Sequence, residues 1–149
     1  MLENDFKLAA EVFKDKDEIQ GLTVGKSMLP IFRDNKDIAV VKKITAPLKE
    51  NDVLLYRKKG KTDEYVLHRL LKITDNGYLI RGDNTYYNET NITNDDIVGV
   101  LKGFYRNGKY YDCQKSFTYK LYVVYIRLSY PIRHFTLRAI RKLKRMLGV

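Results

Sequence analysis

The sequence predicts a mainly β protein: a sandwich or barrel-like core, preceded by a short helix and followed by a basic amphipathic helix. Three observations carry that prediction. Between residues 21 and 112 the apolar residues come as short runs of β-branched and aromatic side chains, punctuated by turn residues, with little helix between them. Apolar residues at helical spacing occur only near the two ends of the chain. The length of 149 residues, 44% hydrophobic and 31% charged, suits one globular core and is short for two.

The elements follow in order. Residues 2–13 place Phe6, Ala9, Ala10 and Phe13 on one helical face, and Asp15, Lys16, Asp17 and Glu18 then break it. Strands are expected at 38–43, 53–57, 65–73, 78–81, 97–105 and 110–111. Lys59-Gly60-Lys61, Asp75-Asn76-Gly77 and Arg106-Asn107-Gly108-Lys109 read as hairpin connections, because Gly and Asn accept positive φ. Asn88-Glu89-Thr90 and Asn91-Ile92-Thr93 fit the glycosylation pattern but read as a polar loop. Residues 117–126 are rich in tyrosine and β-branched side chains, and Pro131 is expected to break whatever precedes it. Beyond that proline, Ile132, Phe135, Ala139, Ile140, Leu143 and Met146 or Leu147 recur three and four apart among basic residues, which predicts an amphipathic helix.

Charge divides the chain at the same place. No acidic residue follows Asp112, whereas nine of the 28 basic residues lie beyond it, leaving 19 against 18 acidic residues in the rest. The formal charge of +10 therefore belongs almost wholly to a tail. We divide the chain into a body, residues 1–114, and a basic, tyrosine-rich segment, residues 115–149. Arg133, Arg138, Arg141, Lys142, Lys144 and Arg145 beside an apolar face suit an anionic membrane surface, and Tyr119, Tyr122, Tyr125 and Tyr130 suit its interface. A helix docked on its own domain, or one bound to a protein or nucleic acid, has the same composition; nucleic acid is the less expected partner.

Several classes drop out. No uncharged run exceeds the seven residues 19–25, far short of the roughly 20 apolar residues of a spanning helix. Charges at Glu3, Asp5, Lys7 and Glu11 interrupt any apolar start, so no cleavable export signal is expected and association with a membrane would be peripheral, at the cytoplasmic face. Cys113 is the single cysteine and there are two histidines, so neither an internal disulfide nor a metal centre is expected, and no organic cofactor is called for.

Three clusters carry potential chemistry: Gly25-Lys26-Ser27-Met28-Leu29-Pro30, then Val66-Leu67-His68-Arg69-Leu70, then Arg81-Gly82-Asp83-Asn84. They supply a hydroxyl, an imidazole and a carboxylate. A serine hydroxyl needs a base within about 3 Å to become a nucleophile, and neutral imidazole is suited to that near pH 7. On a strand, His68 shares its face with Val66 and Leu70. A carboxylate at Asp83 could fix the imidazole tautomer and stabilise the charge it acquires. Each cluster also has an ordinary reading, since Gly-x-Ser is frequent, a strand histidine is often a core residue, and Gly-Asp-Asn is a common turn.

Taken together, and in this order, the clusters resemble the boxes of the signal peptidase I and LexA-like serine peptidase superfamily. Gly25 to Pro30 is similar to its Ser-Met-x-Pro box; Asp52-Val53, His68-Arg69, Gly82-Asp83-Asn84 and Asp96-Ile97-Val98-Gly99-Val100 follow as the later boxes do. A histidine rather than a lysine at position 68 resembles the endoplasmic-reticulum and sporulation-type signal peptidases. The resemblance implies a signal-peptidase-like core with Ser27 as nucleophile, His68 as general base and Asp83 as its orienting acid. It further implies an oxyanion contact from the backbone N–H of Ser27, Met28 and Pro30 near the substrate groove, and a structural Arg69. The chain departs from the family at Gly25-Lys26, where many members have Ser-Gly, and at Asn51-Asp52, where Gly-Asp is usual. Residues 2–13 also lack the apolar span of the family's membrane anchor.

The resulting expectation is a serine endopeptidase that cleaves a leader or signal peptide, or preprotein, near a membrane. A repressor-type autoprotease fits less well, because the lysine base and an N-terminal DNA-binding unit are missing. The alternative of a different kind is a non-catalytic module that binds membrane, nucleic acid or a protein partner through its basic tail.

Overall fold

A computed structural model describes residues 12–60 and 64–148. Among them, eight antiparallel strands form one sheet: β1 (Glu18–Leu22), β2 (Ile38–Lys42), β3 (Val53–Arg57), β4 (Tyr65–Thr74), β5 (Gly77–Arg81), β6 (Glu89–Ile92), β7 (Ile97–Arg106) and β8 (Lys109–Asp112). A single long helix, α1 (Phe117–Leu147), follows. The spatial order is β1-β2-β7-β3-β4-β5-β6, with β8 beside β7. The mainly β class, with a C-terminal helix, is as the sequence predicts, but the helix starts well before the expected point beyond Pro131. Val12 and Phe13 have helical backbone, and the remainder of the helix expected at 2–13 lies outside the described residues.

Strand β7 organises the sheet. One of its sides pairs with β2 through Val100–Tyr105 positions, while the other pairs first with β3 and then, past Val100, with β8. Its run Ile-Val-Gly-Val-Leu is apolar on both faces because both are covered. Phe13, Leu54, Tyr56, Leu70, Ile80, Ile97 and Val98 form one core cluster, and Met28, Ile31, Phe32, Val53, Leu101 and Phe104 a second. The β7–β8 hairpin turns on Asn107 and Gly108, both at positive φ, as its sequence requires.

Two strands were not expected from the sequence. In β1 only Ile19 is even half-buried, so an edge strand reads as a polar segment. The loop expected at residues 88–93 is largely β6, which pairs Ile80 with Glu89 and Tyr78 with Ile92; Ile92 alone is buried there. Pro131 does not break the helix, which runs through it. The proline ring is exposed, so the carbonyl of Arg127 that loses its helical donor can be met by water. Ser116 caps the start by accepting the Tyr119 N–H at 3.2 Å, and Gly148, with φ of 70°, ends α1 in the left-handed region.

Buried charge fixes the loop before β2. Asp37 is fully buried and accepts from Arg33 and Arg106, at 2.7 and 2.8 Å. Burial raises its pKa, yet the hydrogen bonds from Arg106 and Arg33 more than offset this and hold the carboxyl far below the usual range.

Candidate active site

Ser27 stands in the turn between β1 and β2, with its backbone stitched to the turn after β5. The Ser27 carbonyl accepts the Asn84 N–H at 2.7 Å, and the Lys26 carbonyl accepts Asn84 Nδ2 at 3.0 Å. Met28 is buried beneath, its sulfur accepting the Asp83 N–H at 3.4 Å. The first and third sequence clusters are therefore one structural unit.

His68 comes up from β4, opposite Leu54 of β3, and is 3% exposed. Its Nδ1 lies 2.9 Å from a carboxylate oxygen of Glu89 and 3.2 Å from the Tyr56 hydroxyl. That hydroxyl also bonds the Glu89 carboxylate. The hydrogen bond from His68 first, then that from Tyr56, hold the Glu89 carboxyl below its ordinary value in spite of partial burial. Burial, helped by the carboxylate, pushes the Tyr56 hydroxyl well up, so it stays a proton donor. The network orients the ring: Nδ1 donates to the carboxylate, and Nε2 is the nitrogen turned away from it. Nε2 is buried and has no hydrogen-bond partner among the described residues.

Gly82 locates the imidazole relative to Ser27. A Cβ at this position would lie 2.6 Å from the Ser27 carbonyl oxygen and 2.9 Å from His68 Nε2. Only glycine lets the serine turn and the imidazole close on the same point.

The structure brings Ser27 and His68 together and gives the place expected of Asp83 to Glu89. Both Asp83 oxygens are engaged elsewhere: Arg69 Nε and Nη2 reach them at 2.8 and 2.6 Å, and the Tyr122 hydroxyl donates at 2.8 Å. Arg69, 2% exposed, also donates to the Asn51 carbonyl at 2.9 Å and the Tyr119 hydroxyl at 3.4 Å. Burial opposes the Arg69 charge, but Asp83 overcomes it and raises the pKa above the usual arginine value. The pair is a buried, bidentate strut between β4, the 82–84 turn and α1. Asn51 has φ of 76°, so it does what glycine does at that turn, and its departure from the expected Gly-Asp is conformationally silent.

A cleft of about 750 Å³ opens at Ser27 and His68, lined by Leu22 and Val24 on one side and Tyr65, Leu67 and Tyr87 on the other. Met28 lines this cleft, whereas Pro30 is exposed and does not line it. Two strand edges reach this cleft. Among the described residues β1 pairs only with β2, and the first half of β4 pairs with β3 while its bonds to β5 begin at Arg69.

A family model described as Peptidase S24-like matches residues 1–102. The chain belongs to this family. Every residue of the serine–histidine–glutamate constellation lies inside the matched span, and the fold is accordingly of the serine-peptidase type. Neither the curated proteins nor the solved structures give a match. Glu89, the carboxylate beside His68, is the member of this constellation that sequence reasoning missed. It was hidden in a polar, glycosylation-like stretch, and the one available signal was an acidic residue a few positions past the Gly-Asp-Asn turn.

Among the described residues no group of His, Cys, Asp and Glu could hold a metal ion, and no helix is long and apolar enough to cross a membrane. Of the six basic residues expected at a membrane surface, two contact the body. Arg133 donates to Asn84 at 3.5 Å, and the Arg141 guanidinium sits over the Tyr86 ring at 5.0 Å.

Proposed function

We propose that the protein is a serine endopeptidase that cleaves an extended leader or signal peptide at a membrane surface. Ser27 is its nucleophile, His68 its general base and Glu89 the acid that orients the base. The observation that carries this reading is the divided imidazole: Nδ1 is held by an ionised carboxylate, and Nε2 is bare, buried and turned toward the serine turn.

In this mechanism the Ser27 oxygen bonds to the scissile carbonyl carbon as its proton passes to Nε2. The imidazolium is stabilised by Glu89 across Nδ1. The tetrahedral adduct collapses to an ester as the C–N bond breaks, and Nε2 returns the proton to the leaving amine. Water repeats the sequence in reverse, its proton going to Nε2 and then to the Ser27 oxygen as the acid is released. The backbone N–H of Ser27 is the proposed oxyanion donor.

The substrate form follows from the cleft. An extended peptide can add backbone hydrogen bonds to the open edge of β1 and to the first half of β4, while apolar walls receive alternate side chains. The test is mass spectrometry of a peptide panel, half of it with small residues before the candidate bond, incubated with the protein on anionic liposomes. Cleavage by the parent and none by Ser27→Ala is expected. Equal products from both would contradict the reading.

A further inference from the structure

Helix α1 has two faces with different jobs. The inner one carries Tyr119, Tyr122, Ile126, Tyr130 and Arg133, spaced three and four apart; Tyr119 and Tyr122 pack against Arg69 and the second core cluster, and the other contacts along it fall on residues 81–86. Tyr122 reaches Asp83, Arg133 reaches Asn84, Arg81 stacks on the Tyr130 ring and Arg141 on Tyr86. That segment presents Gly82 to His68 Nε2 and leads directly into Glu89 at Nδ1. The helix therefore grips the loop that contacts the imidazole on both of its nitrogens.

The outer face is apolar and bare. Phe117, Leu121, Val124, Leu128, Ile132, Phe135 and Met146 follow one another along it and are exposed, Leu128 and Phe135 to 74%. Lys120, Arg127, Arg138, Lys142 and Arg145 form an exposed basic flank beside them. No acidic residue lies on the helix. An apolar stripe edged with positive charge complements a bilayer with anionic headgroups, which buries the stripe and neutralises the flank.

We propose that this outer face binds an anionic bilayer and that binding tightens the 82–89 loop around His68, so that the membrane switches the site on. The coupling runs through helix formation. Pro131 and the β-branched residues make this a poor helix by itself. The bilayer and the body each bind only the helical form, so whichever binds first removes an ordering cost for the second. The proposal rests on the endopeptidase reading for what the site does. Its test reads lipid binding and amide exchange, so the two can fail separately.

The experiment uses the full chain with vesicles of phosphatidylcholine alone or mixed with phosphatidylglycerol. Co-sedimentation and hydrogen exchange of residues 82–89 are both followed. The expected result is binding to the mixed vesicles only, together with at least about tenfold slower exchange in that loop. Leu128→Asp with Phe135→Asp should lose both effects, as should Lys142→Gln with Arg145→Gln in part. All four side chains are exposed, and circular dichroism reports whether the fold persists. Ser27→Ala should behave as the parent does. Failure to bind the mixed vesicles overturns the proposal. So does binding with unchanged exchange at 82–89, or preferential binding of duplex DNA that survives Leu128→Asp.

Discussion

At Gly82 a single methyl group decides whether the site can exist. Its Cβ would enter the space shared by the Ser27 carbonyl and His68 Nε2, so Gly82→Ala should leave a folded protein with peptide cleavage reduced at least about 100-fold. Circular dichroism and the cleavage assay together check this. Glu89→Gln keeps the shape of the side chain but removes the charge that holds Nδ1–H. A loss of about 10²- to 10⁴-fold in kcat with little change in KM is expected. Tyr56→Phe removes a donor to Glu89 and leaves the carboxylate on the imidazole, so its effect should stay within about tenfold. At this scale the sequence was legible for Ser27 and His68, because the short Ser-Met-x-Pro and His-Arg boxes are local. The third member was not, since the Asp83 carboxylate lies in a recognisable box yet is bound by Arg69. Only the folded register, Ile80 opposite Glu89, brings the distant acid to the base.

Among the elements, β4 and the 82–84 turn depend on the Arg69–Asp83 strut, to which α1 adds Tyr119 and Tyr122. Truncating one partner leaves the other charge buried alone. Asp83→Ala should therefore cost about 3–5 kcal/mol of stability, measured by urea unfolding, and inactivate the protein by loosening it. Replacing both charges, with Arg69→Met and Asp83→Leu, removes the uncompensated charge and should restore most of that stability. β2–β5 and β7 were legible because each carries several apolar residues, buried or half-buried, in a run bounded by turns. β1 and β6 were not, each having one residue packed inward. The continuity of α1 across Pro131 was likewise hidden, because the docking of Tyr122, Ile126 and Tyr130 on the body outweighs a local breaking signal.

For the whole molecule, acid sensitivity should arise first at buried carboxylates. Asp37 is depressed in the fold relative to an unfolded chain, so its contribution is complete above the ordinary Asp range and declines as pH falls through that range and below. Asp37→Asn should lower stability at neutral pH and flatten its fall between about pH 5 and 2, as followed by thermal unfolding across pH. The concentration of charge in the tail was plain in the sequence, but its division into a face that grips the site and a face turned outward depends on how α1 seats. The account as a whole turns on which carboxylate serves the histidine. The most direct measurement compares kcat for peptide cleavage by folded Glu89→Gln and by folded Arg69→Met/Asp83→Leu. A fall of about 10²-fold or more for the first, with the second within about tenfold of the parent, is the predicted result. Full activity in Glu89→Gln, with none in the folded double variant, would contradict it and return the orienting role to Asp83.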